Sequence, residues 1–150
     1  MNKINLNIQI ICKTKNKLPS KNFFKFLLKT VLSKFKKKCE INIRIVDKNE
    51  SRYLNFKFCG KNKATNVLSF SFEPLLKIKS HILGDIIICK QLIIQEAIKQ
   101  KKNLNEHWAH IIIHGCLHLL GFNHIKINET KKMEYLEKKF LKELGYSNKY

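Results

Sequence analysis

The chain has 150 residues, 30 of them Lys or Arg against 11 Asp or Glu, a formal net charge of +19 and 44% hydrophobic residues. That length and apolar content suit one globular domain able to bury about 68–70% of its unfolded surface, and they exclude a disordered chain. Five Gly and two Pro exclude a collagen-like or Pro/Gly-rich one.

In chain order, Ile4, Leu6, Ile8 and Ile10 alternate with polar residues, which predicts a strand over 4–12 rather than a signal peptide. From Lys21 to Lys38, Phe24, Leu27, Leu28, Val31 and Phe35 recur at helical spacing, with Lys21, Lys25 and Lys29 on another face, so an amphipathic basic helix is expected. Ile41, Ile43 and Ile45 mark a second strand. A short helix through Tyr53 and Leu54 follows Asp47-Lys48-Asn49, and Gly60-Lys61-Asn62-Lys63 is a loop. Leu68, Phe70 and Phe72 form a third strand; Ile82 to Cys89 is a buried fourth, interrupted at Gly84-Asp85. Three helices are expected at about 91–101, 106–120 and 129–144, the last stopping at Gly145 with a Glu/Lys mixture that suits a solvated face. The whole, residues 1–150, is expected to be one layered α+β domain with a four-stranded mixed sheet and about five helices.

Charge and cysteines bound the setting. Residues 1–38 hold eleven lysines and no acid, while Glu129, Glu134, Glu137 and Glu143 fall in the last 22 positions. Such a field attracts polyanions, RNA first among them. Only Arg44 and Arg52 are arginine, so solvated lysine faces are the competing reading. Cys12, Cys39, Cys59, Cys89 and Cys116 are odd in number and contain no CxxC pair, which points away from a disulfide framework and toward a reducing, cytoplasmic compartment. No apolar run reaches the ~18 residues of a membrane span.

The chemistry concentrates in five histidines within residues 107–124. On a helix His114 and His118 stand one above the other, Gly121 can turn the chain back, and His124 then returns as a third ligand. Three imidazoles leave the fourth position of a tetrahedral zinc open for water, so one zinc per chain is expected on His114, His118 and His124, carried by a buried central helix. His110 lies about 12 Å along that helix from His118, too far for both to bind one ion with His114, and is expected to back the ligands or face substrate. His107 is expected at the surface or in the helix cap. The spacing H-x3-H-x2-G-x2-H equals that of metzincin proteases, but the protease's general-base glutamate is Gly115 here, which removes the proton shuttle of peptide hydrolysis and leaves electrophiles such as a phosphodiester.

The run from His107-Trp108-Ala109-His110 through His114-Gly115-Cys116-Leu117-His118-Leu119-Leu120-Gly121-Phe122-Asn123-His124, with Ala64-Thr65-Asn66-Val67-Leu68-Ser69-Phe70 and Leu83-Gly84-Asp85-Ile86, resembles the YbeY-type endoribonucleases, also described as rRNA maturation factors. The resemblance runs from about residue 51 to the C-terminus. It implies an α+β metallohydrolase, zinc on His114, His118 and His124, cleavage of single-stranded RNA, maturation of the small-subunit rRNA 3′ end and ribosome quality control. Partners implied are rRNA or other single-stranded RNA, the small ribosomal subunit and its assembly proteins. Catalysis would rest on the zinc-bound water with support from His110 and Asn123; Lys61, Lys63 and the N-terminal lysines are the candidate phosphate contacts. Attack by zinc hydroxide and attack by the substrate's 2′-hydroxyl both remain open.

The chain departs from the family pattern twice. Asn123 stands where the family typically has aspartate, and Phe58-Cys59-Gly60-Lys61-Asn62 stands where it has an aromatic-Arg-Gly-Lys-Asp run. Both changes favour a second reading, an RNA-binding ribosome-assembly factor with weak or no catalysis and a structural zinc. The open three-ligand set opposes it.

Overall fold

A computed structural model describes residues 3–72, 81–122 and 126–146. The elements run β1 (Lys3–Ile11), α1 (Lys21–Leu32), β2 (Lys38–Val46), α2 (Lys48–Cys59), β3 (Val67–Ser71), β4 (Ile82–Cys89), α3 (Lys90–Lys99), α4 (Leu104–Leu119) and α5 (Ile127–Glu143). The strands form one mixed sheet in the order β1-β2-β4-β3; β1, β2 and β4 are parallel and β3 pairs antiparallel with β4. This is the α+β layer domain that the alternating and helical patterns predict.

The period of two decides what each sheet face does. Ile41, Ile43 and Ile45 of β2, with Ile86 and Ile88 of β4, lie on one face and are fully buried with Phe24, Leu28, Ile93, Trp108, Ile112 and Met133 of the helices. The other face carries Asn7, Gln9, Asn42, Arg44 and Asp85, cross-linked by hydrogen bonds from Asn7 to Glu40 and Asn42, from Asn42 to Asp85, and from Arg44 to Gln9 and Glu50. Among the described residues a small cluster of Val46, Leu68 and Ile87 sits on that side, where Leu54 of α2 and Phe70 pack on it.

Three expectations change. Helix α1 ends at Leu32 rather than Lys38, because Lys38 already pairs with Lys3 and begins β2. The short helix after Asp47 is a full 12 residues, stopped by Gly60 in the left-handed conformation, whose N–H reaches the carbonyls of Asn55 and Phe56. Strand β4 runs unbroken through Gly84-Asp85, and the irregularity lies in its pairing with β2 at Glu40/Ile41. Gly84 marks a close approach: a Cβ there would stand 2.1 Å from the Phe70 carbonyl oxygen and 2.8 Å from Leu119 Cδ2.

Candidate active site

Helix α4 is the central helix, touching α1, α3, α5, β3 and β4. Asn103 caps its start by accepting from the N–H groups of Asn105 and Glu106. Its end is a double closure in which the N–H of Gly121 bonds to the His118 carbonyl and that of Phe122 to the Leu117 carbonyl, with Gly121 at φ +101°. The chain thus turns back at Gly121, as its position in the motif predicts. Asn123 and His124 lie outside the described residues.

Between these caps Trp108, Ile112, Cys116 and Leu119 enter the core, while His110, His114 and His118, four apart, share a half-buried face. Gly115 shows why that core-side position holds no larger residue. A Cβ there would meet two Ile86 carbons at 3.1 Å and Ser69 Oγ at 3.2 Å, so the helix lies directly on β4 and β3. A glutamate at Gly115 would have to push the Ile86 and Ser69 side chains aside, so the position where the metzincin motif has its general base is sterically tight here as well as chemically empty.

His114 and His118 converge. Their Nε2 atoms are 3.0 Å apart and their rings meet nearly edge-to-face. His114 Nδ1–H donates to Glu137 Oε1 at 2.6 Å, which fixes its tautomer and directs Nε2 toward His118. His110 Nε2 makes a longer contact, 3.4 Å, to the other oxygen of the same carboxylate. Glu137 is buried on α5; burial alone would raise its pKa, but hydrogen bonds and charge from His110 and His114 outweigh this and hold it at about 2. An ionised carboxylate behind a histidine is the arrangement that orients a metal-ligating imidazole. Two imidazole nitrogens each about 2.0–2.1 Å from a tetrahedral ion would be roughly 3.3 Å apart, close to the separation found. Two converging imidazoles, one backed by a carboxylate, are donors of the kind zinc takes, and among the described residues they form a pair. Among the described residues, no group of three His, Cys, Asp or Glu side chains is placed to hold a metal ion.

Beside His114 opens a cleft of about 240 Å³ lined by Asn66, Glu96, Gln100, His107 and His110. His107 corrects the expectation of a surface or cap residue. It is 2% exposed, and its Nε2 donates to Glu96 Oε1 at 2.9 Å because α3 covers the first turn of α4. Burial lowers its pKa against the opposing pull of Glu96, so the imidazole is held neutral. Asn66 Nδ2 reaches both Glu96 oxygens at 3.2 Å. Glu137 and Glu96 are the site residues that the pattern of the sequence does not disclose. The Glu/Lys mixture around Glu137 suggests a solvated face, and only its spacing of four from Met133 and from Leu141, both buried, marks the inner side.

Lys61 and Lys63 are exposed in the loop after α2, and Cys59 is exposed as the last residue of that helix. All five cysteines are free; burial raises the pKa of the core residues Cys39, Cys89 and Cys116, and of half-buried Cys12 to about 11 with help from Asp47, which leaves these four as protonated thiols. Among the described residues no helix is long and apolar enough to cross a membrane.

Fold and cleft together define an α+β domain whose chemistry-bearing histidines stand on its central helix. The solution structure of a Thermotoga maritima protein is similar to it, with a TM-score of 0.64 and 25% identity, covering 91% of this chain and 88% of that one. The model of the family described as endoribonuclease YbeY matches residues 8–145, and the chain belongs to that family. Its reaction class is accordingly that of an endoribonuclease, a hydrolase of internal RNA linkages.

Proposed function

We propose that the chain is a zinc-dependent endoribonuclease that cleaves single-stranded RNA in the cytoplasm, in maturation of the small-subunit rRNA 3′ end and in ribosome quality control. The observation that carries this reading is the His118–His114–Glu137 chain, in which two imidazole nitrogens face one point and a buried carboxylate fixes the first of them. His114 and His118, with His124 as the third ligand, would hold the zinc; when bound, it supplies Lewis-acid polarisation of a phosphoryl oxygen and lowers the pKa of water. The chain's own residues do the rest. Glu137 locks the His114 tautomer and, through its second oxygen, keeps His110 beside the cleft, where an imidazole can give or take a proton. His107, neutral and bonded to Glu96, shapes the wall against which the RNA backbone would lie. Lys61, Lys63 and the lysines of residues 1–38 neutralise phosphates and supply the affinity. Small-subunit rRNA and its assembly proteins are the partners this implies.

The test is incubation of the purified chain with single-stranded RNA, with and without chelator, beside His114→Ala. Cleavage that is lost with chelator, restored by zinc and absent from the variant supports the proposal. RNA that is bound but left intact under every metal condition would overturn it in favour of an assembly factor. The termini of the fragments separate the two nucleophiles: a 2′,3′-cyclic phosphate marks the substrate's own 2′-hydroxyl, and a 3′-hydroxyl or 3′-phosphate formed without a cyclic precursor marks water.

A further inference from the structure

Helix α2 is built inside out. Its two buried residues are polar: Ser51 Oγ donates to the Thr65 carbonyl at 2.7 Å and accepts from the Thr65 N–H at 2.9 Å, and Asn55 Nδ2 donates to the Lys63 carbonyl at 2.8 Å. Its aromatic residues point outward, with Tyr53 59%, Phe56 57% and Phe58 58% exposed. Among the described residues six large aromatic side chains are exposed, and half of them lie within these six positions. Hydrogen bonds, with Leu54, hold the helix down, so Tyr53 and Phe56 stand outside the core while Phe58 meets its margin at Phe70. Clustered exposed rings on a monomer's surface mark a binding face.

The charge around them says what is bound. Residues 51–72 contain Arg52, Lys57, Lys61 and Lys63 and no acid. Lys57 Nζ lies 5.8 Å from the centroid of the Tyr53 ring and 5.5 Å from that of Phe58, so the cation is set between two rings. Phe58 meets Phe70 of β3 edge-on at 5.2 Å, which carries the aromatic strip onto the edge strand. The basic loop is fixed to the helix, because Arg52 Nε donates to Asn62 Oδ1 at 2.8 Å and the Lys61 N–H reaches the Asn55 carbonyl. It leads directly to Asn66, which lines the cleft with His114. On the other face of β3, Ser69 lies against Gly115, next to His114.

We propose that Tyr53 and Phe56 on the outward side of α2, continued by Phe58 at the helix end and interleaved with Arg52, Lys57, Lys61 and Lys63, form a stacking platform for the bases of single-stranded nucleic acid that delivers the strand over edge strand β3 to the cleft beside His114. Interleaved rings and cations are the general means of holding a single strand without reading its sequence: the rings take base faces and the lysines take phosphates. A duplex hides its base faces and fits poorly. An acidic protein surface would match the charge, but a single strand presents a flat base and a phosphate at every nucleotide, which is the alternation of ring and cation found here. The inference rests on the RNA reading above for its ligand class.

The experiment measures binding, so that it stands apart from cleavage. Fluorescence anisotropy of a labelled 12-nucleotide RNA is followed against salt in the presence of chelator, for the wild-type chain, Tyr53→Ala/Phe56→Ala, and Tyr53→Phe/Phe56→Tyr. Alanine substitution is expected to weaken binding about 10- to 100-fold at every salt concentration and to leave the slope of log K against log salt unchanged, since every cation that meets a phosphate is kept. The aromatic replacements should restore affinity, single-stranded DNA should bind comparably, and duplex RNA should bind weakly and equally to all three. The melting temperatures of the three proteins should agree, because the rings lie outside the core. Undiminished affinity of the alanine variant overturns the platform and leaves this face to a protein partner; weakened binding that Tyr53→Phe/Phe56→Tyr does not repair overturns stacking as the cause. A wild-type chain that binds through these rings yet cuts nothing would sustain this inference and refute the nuclease proposal.

Discussion

Helix α4 buries eleven of its sixteen residues and turns histidines to one half-buried face, whereas helix α2 buries only Ser51 and Asn55 of its twelve and turns aromatic rings to solvent. The first is anchored by apolar packing on both sheet and helices; the second is pinned by a few polar bonds and Leu54. The difference matches the two tasks proposed for them. Groups that must share one ion need a frame that holds them within a fraction of an ångström, which a packed core supplies. Groups that hold a flexible strand need access. Substitutions in α4 should therefore register in stability and metal affinity, and those on α2 in RNA binding.

The largest effect should come from Gly115→Glu, which completes the protease-like motif in sequence. With a Cβ already 3.1 Å from Ile86, the added carboxylate has to displace the helix or be buried unpaired, a cost of roughly 3 kcal/mol or more. Chemical denaturation should show an unfolded or severely destabilised protein. A stable variant would mean that α4 is not pressed onto the sheet, and the contrast with α2 would fail.

Glu137→Gln comes next. The amide keeps the shape but loses the charge that orients His114, so zinc affinity should fall about 10- to 100-fold in a competition titration, with little change in melting temperature. Unchanged affinity would detach Glu137 from the site and reduce it to a packing residue.

A smaller, graded effect should separate the two basic regions. Replacing Lys61 and Lys63 by Gln should lower the salt slope of RNA binding by about 0.7 for each phosphate that is no longer neutralised. The same measurement on Lys21, Lys25 and Lys29, exposed on α1, decides whether the footprint extends there; an unchanged slope confines it to the α2 side. The smallest effect is expected from Cys59→Arg. A guanidinium at the end of α2 can grip a phosphate with two hydrogen bonds, so turnover should rise several-fold at saturating RNA while affinity changes little. No rise would show that this position does not limit the reaction.

What can be read in the sequence depends on how local its cause is. The pairing of His114 with His118 and the turn at Gly121 are fixed by helical period and glycine geometry within eight residues, and both stand as expected. Strand alternation locates β1, β2 and β3 for the same reason, and a nearly continuous apolar run locates β4. Glu137 and His107 stay hidden because their burial depends on which face of α5 and which end of α3 come to rest on α4, a tertiary fact that no local period carries. The length of α2 escapes a reading by pattern because its inner face is Ser51 and Asn55, leaving no apolar stripe to count; its rings imitate a core that they do not enter.

That the α4 histidines hold a metal on which RNA cleavage depends is tested most directly by elemental analysis of zinc in the wild-type chain and in His118→Ala, each dialysed and then assayed on single-stranded RNA. About one zinc per wild-type chain is expected, with neither zinc nor cleavage in the variant, because two imidazoles rarely retain the affinity of three. Stoichiometric zinc and undiminished cleavage in His118→Ala would contradict a metal centre on this helix.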